Sequence, residues 1–120
     1  MDVNELIAKI KKLPGFAEQV GMILIHNGIV RGFSVRSPQK VRSLKISVNQ
    51  ELLAKTKKKY LQKPGIFQIE VEILGGEFRP GDTFLLLAVA GDTRKNVSPV
   101  LNEFLEEIKT KVISEEEVYV

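Results

Sequence analysis

The sequence contains no cysteine and no tryptophan, and its one histidine is His26. Without cysteine, the chain can form no disulfide framework and offers no thiol nucleophile and no thiolate ligand for a metal ion. One histidine also excludes a metal site built from several histidines of the same chain. The sequence therefore predicts no metal site and no bound cofactor.

Long hydrophobic segments are also missing. The longest apolar run covers residues 84–90, far fewer than the roughly 20 residues that cross a bilayer as a helix. The first residues lack the basic segment and following apolar stretch that are typical of a signal peptide. We therefore expect a soluble protein of the cytoplasm.

Length and composition favour one compact domain over residues 1–120. Hydrophobic residues make up 43% of the chain, which is enough to bury a single core without disulfides. The net charge of +3 is mild and comes mostly from lysine, so nucleic-acid binding is permitted but not indicated. That alternative stays open for one basic helix, which carries Lys55, Lys57, Lys58, Lys59 and Lys63.

Hydrophobic periodicity predicts the elements of the first half. Residues 3–13 form an amphipathic helix, residues 21–30 a largely buried strand and residues 44–48 a half-buried strand. The Ser-Pro pair within residues 36–40 indicates a loop. Asn49 is a good N-cap for a helix that ends near residue 61.

The second half begins with two strands joined by a tight connection. Residues 67–73 alternate apolar and polar, as in a strand with one buried face, whereas residues 83–90 are fully apolar and predict a central strand. Between them, Pro80 presets a turn in which Gly81 supplies a positive φ.

The last helix is predicted to begin with Ser98 as N-cap and Pro99 in its first turn. Residues 114–120 form either a short edge strand or a disordered tail. Paired strands separated by helices favour an α+β fold, with a mostly antiparallel sheet packed by helices, over a doubly wound one. The apolar stripe of the last helix comprises Val97, Val100, Leu101, Phe104, Leu105, Ile108 and Val112.

Three basic residues lie at the boundaries of these elements: Arg31 follows a strand, Arg94 precedes a helix, and Lys109 flanks the apolar stripe. Guanidinium groups suit bidentate binding of phosphate or carboxylate, and a partly desolvated lysine suits acid-base or acyl chemistry. From pattern alone, ordinary surface cations are the simpler interpretation. His26 is likewise interpreted as a strand residue rather than a general base.

Three features resemble the large, catalytic subunit of molybdopterin synthase. Residues 28–31 (Gly-Ile-Val-Arg) are similar to the Gly-x-Val-Arg that closes that family's first strand. Residues 76–82 (Gly-Glu-Phe-Arg-Pro-Gly-Asp) resemble its Gly-Glu-Leu-x-x-Gly-Asp/Glu turn. The 15 residues from Arg94 to Lys109 match the family's spacing between a His-Arg pair and a catalytic helix lysine.

The resemblance implies an α/β-hammerhead-like domain, usually dimeric, that works with a small ubiquitin-like sulfur carrier ending in Gly-Gly. Sulfur then passes from the carrier's thiocarboxylate to cyclic pyranopterin monophosphate, which makes the enzyme a sulfurtransferase. In such a site Lys109 is the catalytic residue, and Arg31 and Arg94 bind the substrate phosphate or the carrier carboxylate.

The sequence also departs from the family pattern. Thr93 stands in place of the histidine before the arginine, and Glu115 and Glu116 stand where a tryptophan and a second catalytic lysine are expected. These differences favour an alternative in which the chain is a non-catalytic homologue that retains the fold and a pocket for an anion, a pterin or a partner.

Overall fold

In the computed structural model, residues 2–36 and 38–120 are described, and they form two three-stranded antiparallel sheets with helices packed against them. The strands are β1 (Met22–Ile29), β2 (Val41–Val48), β3 (Ile66–Ile73), β4 (Gly76–Phe78), β5 (Thr83–Gly91) and β6 (Ile113–Tyr119). The helices are α1 (Val3–Lys11), α2 (Phe16–Gln19), α3 (Gln50–Leu61) and α4 (Arg94–Glu107), which continues as a π-helical segment (Ile108–Val112). The predicted α+β class is confirmed.

The first sheet has the strand order β1-β5-β3, so the predicted central position of β5 is confirmed. Residues 84–91 are all buried, because β5 has a strand on each side and helices on both faces. The face carrying Ala88 and Ala90 packs against Ile10 of α1. The opposite face, with Leu85 and Leu87, packs in the main core with α4. By contrast, β1 is an edge strand and mostly half-buried, less than its apolar sequence predicted.

The second sheet has the order β4-β2-β6. Of the two possibilities for the acidic tail, the structure has the edge strand: β6 pairs with β2 along most of its length. Leu44 and Ile46 of β2 are buried toward the main core. The predicted loop over residues 36–40 includes Ser37, which lies outside the described residues.

Helix α3 begins as predicted. The side chain of Asn49 accepts the backbone N–H of Leu52 at 3.0 Å, which satisfies one of the donors that a helix N-terminus leaves unpaired. Leu53 and Tyr60 turn into the core, as expected from their spacing. Two short elements, α2 and β4, were not predicted, since each is too short to show a periodic pattern.

The predicted start of the last helix is wrong. α4 begins at Arg94, with Thr93 as N-cap, and Pro99 lies inside the helix on an exposed position instead of at its start. Packing at the end of β5 explains the difference. A Cβ on Gly91 would lie 2.6 Å from Cγ2 of Val97, so this glycine lets Val97 pack directly on the strand end.

Hydrogen bonds also support the early start. The carbonyl oxygen of Thr93 accepts the N–H groups of Asn96 and Val97 at 3.2 and 3.0 Å. Oδ1 of Asp92 accepts the side-chain amide of Asn96 at 2.9 Å and the backbone N–H of Thr93. These bonds, first the one from Asn96, lower the pKa of Asp92.

Among the described residues, no helix is long and apolar enough to cross a membrane.

Candidate functional site

A pocket of about 190 Å³ lies where the end of β1 meets the π-helical segment and β6. Its wall combines apolar side chains with charges of both signs. The charged residues are Arg31, Arg36, Lys109, Glu115 and Glu117, and the apolar ones are Ile29, Val30, Phe33, Val35, Val41, Leu44 and Phe84.

The Pro-Gly turn fixes the strand end that carries Arg31. The N–H of Val30 donates to the carbonyl of Asp82 at 2.9 Å, and the N–H of Gly81 donates to the carbonyl of Val30 at 2.8 Å. Gly81 has the predicted positive φ, 96°, which a type II turn needs and a side chain would strain. The two motifs that carried the family resemblance are therefore in direct contact. Nε of Arg31 donates to the carbonyl of Phe33 at 3.1 Å.

Lys109 enters the pocket from the π-helical segment. Its Nζ donates to Oε1 of Glu115 at 2.7 Å and lies 5.1 Å from the centre of the Phe84 ring. The segment ends where the N–H of Ile113 donates to the carbonyl of Ile108, a bond that spans five residues. Such π-helical turns occur frequently at functional sites. Here the turn lets β6 follow at once, which brings Glu115 back onto Lys109.

Glu117 is held in the pocket wall by hydroxyl groups. Its Oε1 accepts the hydroxyl of Ser34 at 2.8 Å and that of Tyr119 at 3.0 Å. Ser34 is buried, and its oxygen also accepts the N–H of Arg36 at 3.1 Å. This network ties the loop after β1 to the last strand.

His26 lies close enough to Lys109 to respond to its charge. Burial first, and the positive charge of Lys109 second, lower the pKa of His26 below its usual value. Both effects favour the neutral imidazole over the charged form. The ring is half-buried, in agreement with its interpretation as a strand residue, and nothing in the sequence indicated its proximity to Lys109.

Arg94 does not join Arg31 and Lys109 within one chain. Arg94 follows the end of β5 that pairs with Met22, whereas Arg31 lies beyond the other end of the same strand pair. Helix α4 leads from Arg94 to Lys109, a span of about 20 Å at 1.5 Å per residue. Thr93 lies beside Arg94, equally far from the pocket.

The end of α4 is fastened to α3 through Glu107. Its Oε1 accepts the hydroxyl of Tyr60 at 2.8 Å and the ammonium group of Lys59 at 2.5 Å. The bond from Lys59, followed by that from Tyr60, lowers the pKa of Glu107. The Tyr60 ring stacks on Phe104, with centroids 5.2 Å apart. These contacts tie the end of α4 to α3 directly before the π-helical segment that carries Lys109.

Sequence reasoning missed the pocket roles of Arg36, Glu115 and Glu117. Strand alternation gives a signal for the two acids: if the tail is a strand, Glu115 and Glu117 share a face and Glu116 points the other way. In the structure Glu116 lies opposite Lys45 and does not line the pocket. The residue that meets Lys109 is therefore Glu115.

Comparison with known proteins agrees with the motifs. The family model described as MoaE protein matches residues 1–111. The chain belongs to this family. The family provides the large subunit of molybdopterin synthase, in molybdenum cofactor biosynthesis, so the membership and the role predicted from the motifs are confirmed.

Solved structures show that the fold is shared. Molybdopterin synthase from Staphylococcus aureus is 19% identical, with a TM-score of 0.81 over 100% of this chain and 86% of that one. The cofactor biosynthesis protein E from Burkholderia multivorans is 18% identical (TM-score 0.77; 100% and 84% covered). A complex of subunits 1 and 2 of molybdopterin-converting factor from Helicobacter pylori contains a chain 21% identical (TM-score 0.71; 100% and 84%). Among curated proteins, the search found no match.

Proposed function

We propose that this chain is the catalytic subunit of a molybdopterin synthase, a sulfurtransferase that moves sulfur from a carrier thiocarboxylate to cyclic pyranopterin monophosphate. One observation carries the proposal: Arg31 and Lys109, which are distant in sequence, line one pocket. The turn that positions Arg31 is built from the two motifs characteristic of the family.

The pocket suits the end of a polypeptide. Its rim is apolar and open, since Ile29, Phe33 and Val35 are 53%, 57% and 83% exposed. Exposed apolar residues around a polar pocket are typical of protein-binding sites. Inside, Arg31 binds a carboxylate or phosphate through its remaining donors, and Lys109 stabilises negative charge or transfers a proton as sulfur leaves the carrier.

The partner in this proposal is a small ubiquitin-like carrier with a Gly-Gly terminus. The Helicobacter pylori complex of two subunits supports such a partner. A homodimer is part of the same proposal, and it gives Arg94 a role. Since Arg94 lies about 20 Å from Lys109 along α4, it reaches a pocket only when a second copy supplies it.

A sulfur-transfer assay tests the proposal. The purified chain is mixed with thiocarboxylated carrier and the pterin precursor, and molybdopterin is measured. We expect Lys109→Met to lower the rate at least 100-fold, in the range lost with one charge-stabilising group. Lys111→Met removes the same charge two residues away, outside the pocket lining, and is expected to keep the rate. Equal rates for both variants would contradict the catalytic role of Lys109.

A non-catalytic homologue is the second candidate. The ion pair between Lys109 and Glu115 favours it, because a paired lysine stabilises new negative charge less well. The substitution of Thr93 for the family's histidine points the same way. This candidate predicts that the carrier binds while no molybdopterin forms, and robust turnover in the assay above would exclude it.

A further inference from the structure

Lys109 does not enter the pocket as a free cation. It is paired with Glu115 at 2.7 Å, and the two side chains remain 37% and 30% exposed. Across residues 2–36 and 38–120, no second side-chain partner of Glu115 is described. A carboxylate of the chain itself therefore occupies the position at which an entering carboxylate would meet the ammonium group.

Glu117 is less able to move. Its hydrogen bonds from Ser34 and Tyr119 fix it in the wall, and Ser34 is only 6% exposed. Glu115 lies on an edge strand with solvent beside it, so a displaced Glu115 carboxylate can be rehydrated. Of the two acids, Glu115 is therefore the one whose carboxylate an entering carboxylate can replace.

Exchange at Lys109 is also energetically accessible. Half-exposed ion pairs are weak in water, so losing one shifts an equilibrium by only about two- to fivefold. The pocket has three cations (Arg31, Arg36 and Lys109) and two carboxylates, which leaves one net positive charge. An entering carboxylate restores the partner that Lys109 loses and balances that charge.

We propose that Glu115 is an internal counterion of Lys109 that the C-terminal carboxylate of an entering peptide displaces, so that Glu115 sets the affinity of the pocket for that terminus. The inference rests on the proposed function, because it takes the carrier tail as the ligand. The step exchanges one ion pair for another and makes or breaks no covalent bond.

Calorimetry on the full chain at 0.15 M salt tests this inference with a synthetic peptide that ends in Gly-Gly and a free carboxylate. Glu115→Gln removes the charge but keeps the size, and we expect it to lower Kd about two- to fivefold. Glu115→Asp keeps the charge but shortens its reach, so its Kd should lie between the two. Glu116→Gln removes the same charge from the outer face, opposite Lys45, and should leave Kd unchanged because salt screens distant charges.

A peptide that ends in an amide provides the second control, since it cannot replace the carboxylate on Lys109. The Kd of the amide peptide should therefore be the same for wild type and for Glu115→Gln. Equal Kd values for wild type and Glu115→Gln, or an equal gain for Glu116→Gln or for the amide peptide, would overturn the inference and leave the proposed function untouched. If neither wild type nor Glu115→Gln binds the carboxylate peptide, the pocket is not the carrier site and both proposals fail.

Discussion

Tyr60→Phe tests the hydrogen bond that ties the end of α4 to α3, directly before the segment that carries Lys109. The substitution keeps the ring that stacks on Phe104 and removes only the hydroxyl that donates to Glu107 at 2.8 Å. Tyr60 is 4% exposed, whereas Glu107 keeps Lys59 as a partner. A hydrogen bond to a charged acceptor contributes about 1.5 kcal/mol in such a setting. For a chain of 120 residues this lowers Tm by about 6 °C.

The same variant has a second signature at alkaline pH. Burial, followed by the hydrogen bond to Glu107, raises the pKa of Tyr60 from 10.0 to about 12. The folded state binds the Tyr60 proton more tightly than the unfolded state does. The contribution of this proton to the free energy of unfolding is therefore complete below pH 10 and is lost as pH rises from 10 to 12. The loss is about 1.4 kcal/mol per pH unit in that window. The phenylalanine variant has no such proton, so its stability should depend less on pH there.

Thermal and urea unfolding, measured from pH 7 to pH 11, give the stability lost in Tyr60→Phe and the pH dependence of stability in both proteins. Tyr119→Phe is the matched control, because Tyr119 also donates to a glutamate, Glu117, but is 39% exposed. Tyr119→Phe should lower the free energy of unfolding by less than about 0.5 kcal/mol, as for a solvent-exposed group. The reasoning is refuted if Tyr60→Phe is as stable as wild type at pH 7, or if both proteins lose stability equally above pH 10.

Three further changes follow from the structure. Pro99→Ala restores an N–H for the carbonyl of Lys95 at an exposed site, so urea unfolding should show a gain of about 1 to 2 kcal/mol; a loss would contradict the helix start at Arg94. The NMR titration of His26, the sole histidine, should give a pKa below 6.5 that Lys109→Met raises only in part, because burial is the larger cause. Gly81→Ala places a side chain at φ 96° and should cost about 1 to 2 kcal/mol in thermal unfolding.

The local sequence predicted the elements that are marked by an apolar pattern, by a helix-capping residue or by a turn motif. The apolar run of β5, the Asn49 cap of α3 and the Pro-Gly turn all appear as expected, because each depends on residues close together in the chain. The apolar stripe of α4 and of the π-helical segment also turned inward, from Val97 to Val112. Periodicity decides which face is buried, whatever the precise start of the helix.

Tertiary structure decided the residue at which α4 begins and the chemistry of the pocket. Ser98-Pro99 is a good local helix start, but packing of Val97 on Gly91 begins the helix earlier. The sequence placed Arg31, Arg94 and Lys109 as candidates, and only the fold separates Arg94 from the other two. The pairing of Lys109 with Glu115 depends on a π-helical turn and on the register of β6 against β2. Both arise from contacts between segments far apart in sequence, which local patterns do not encode.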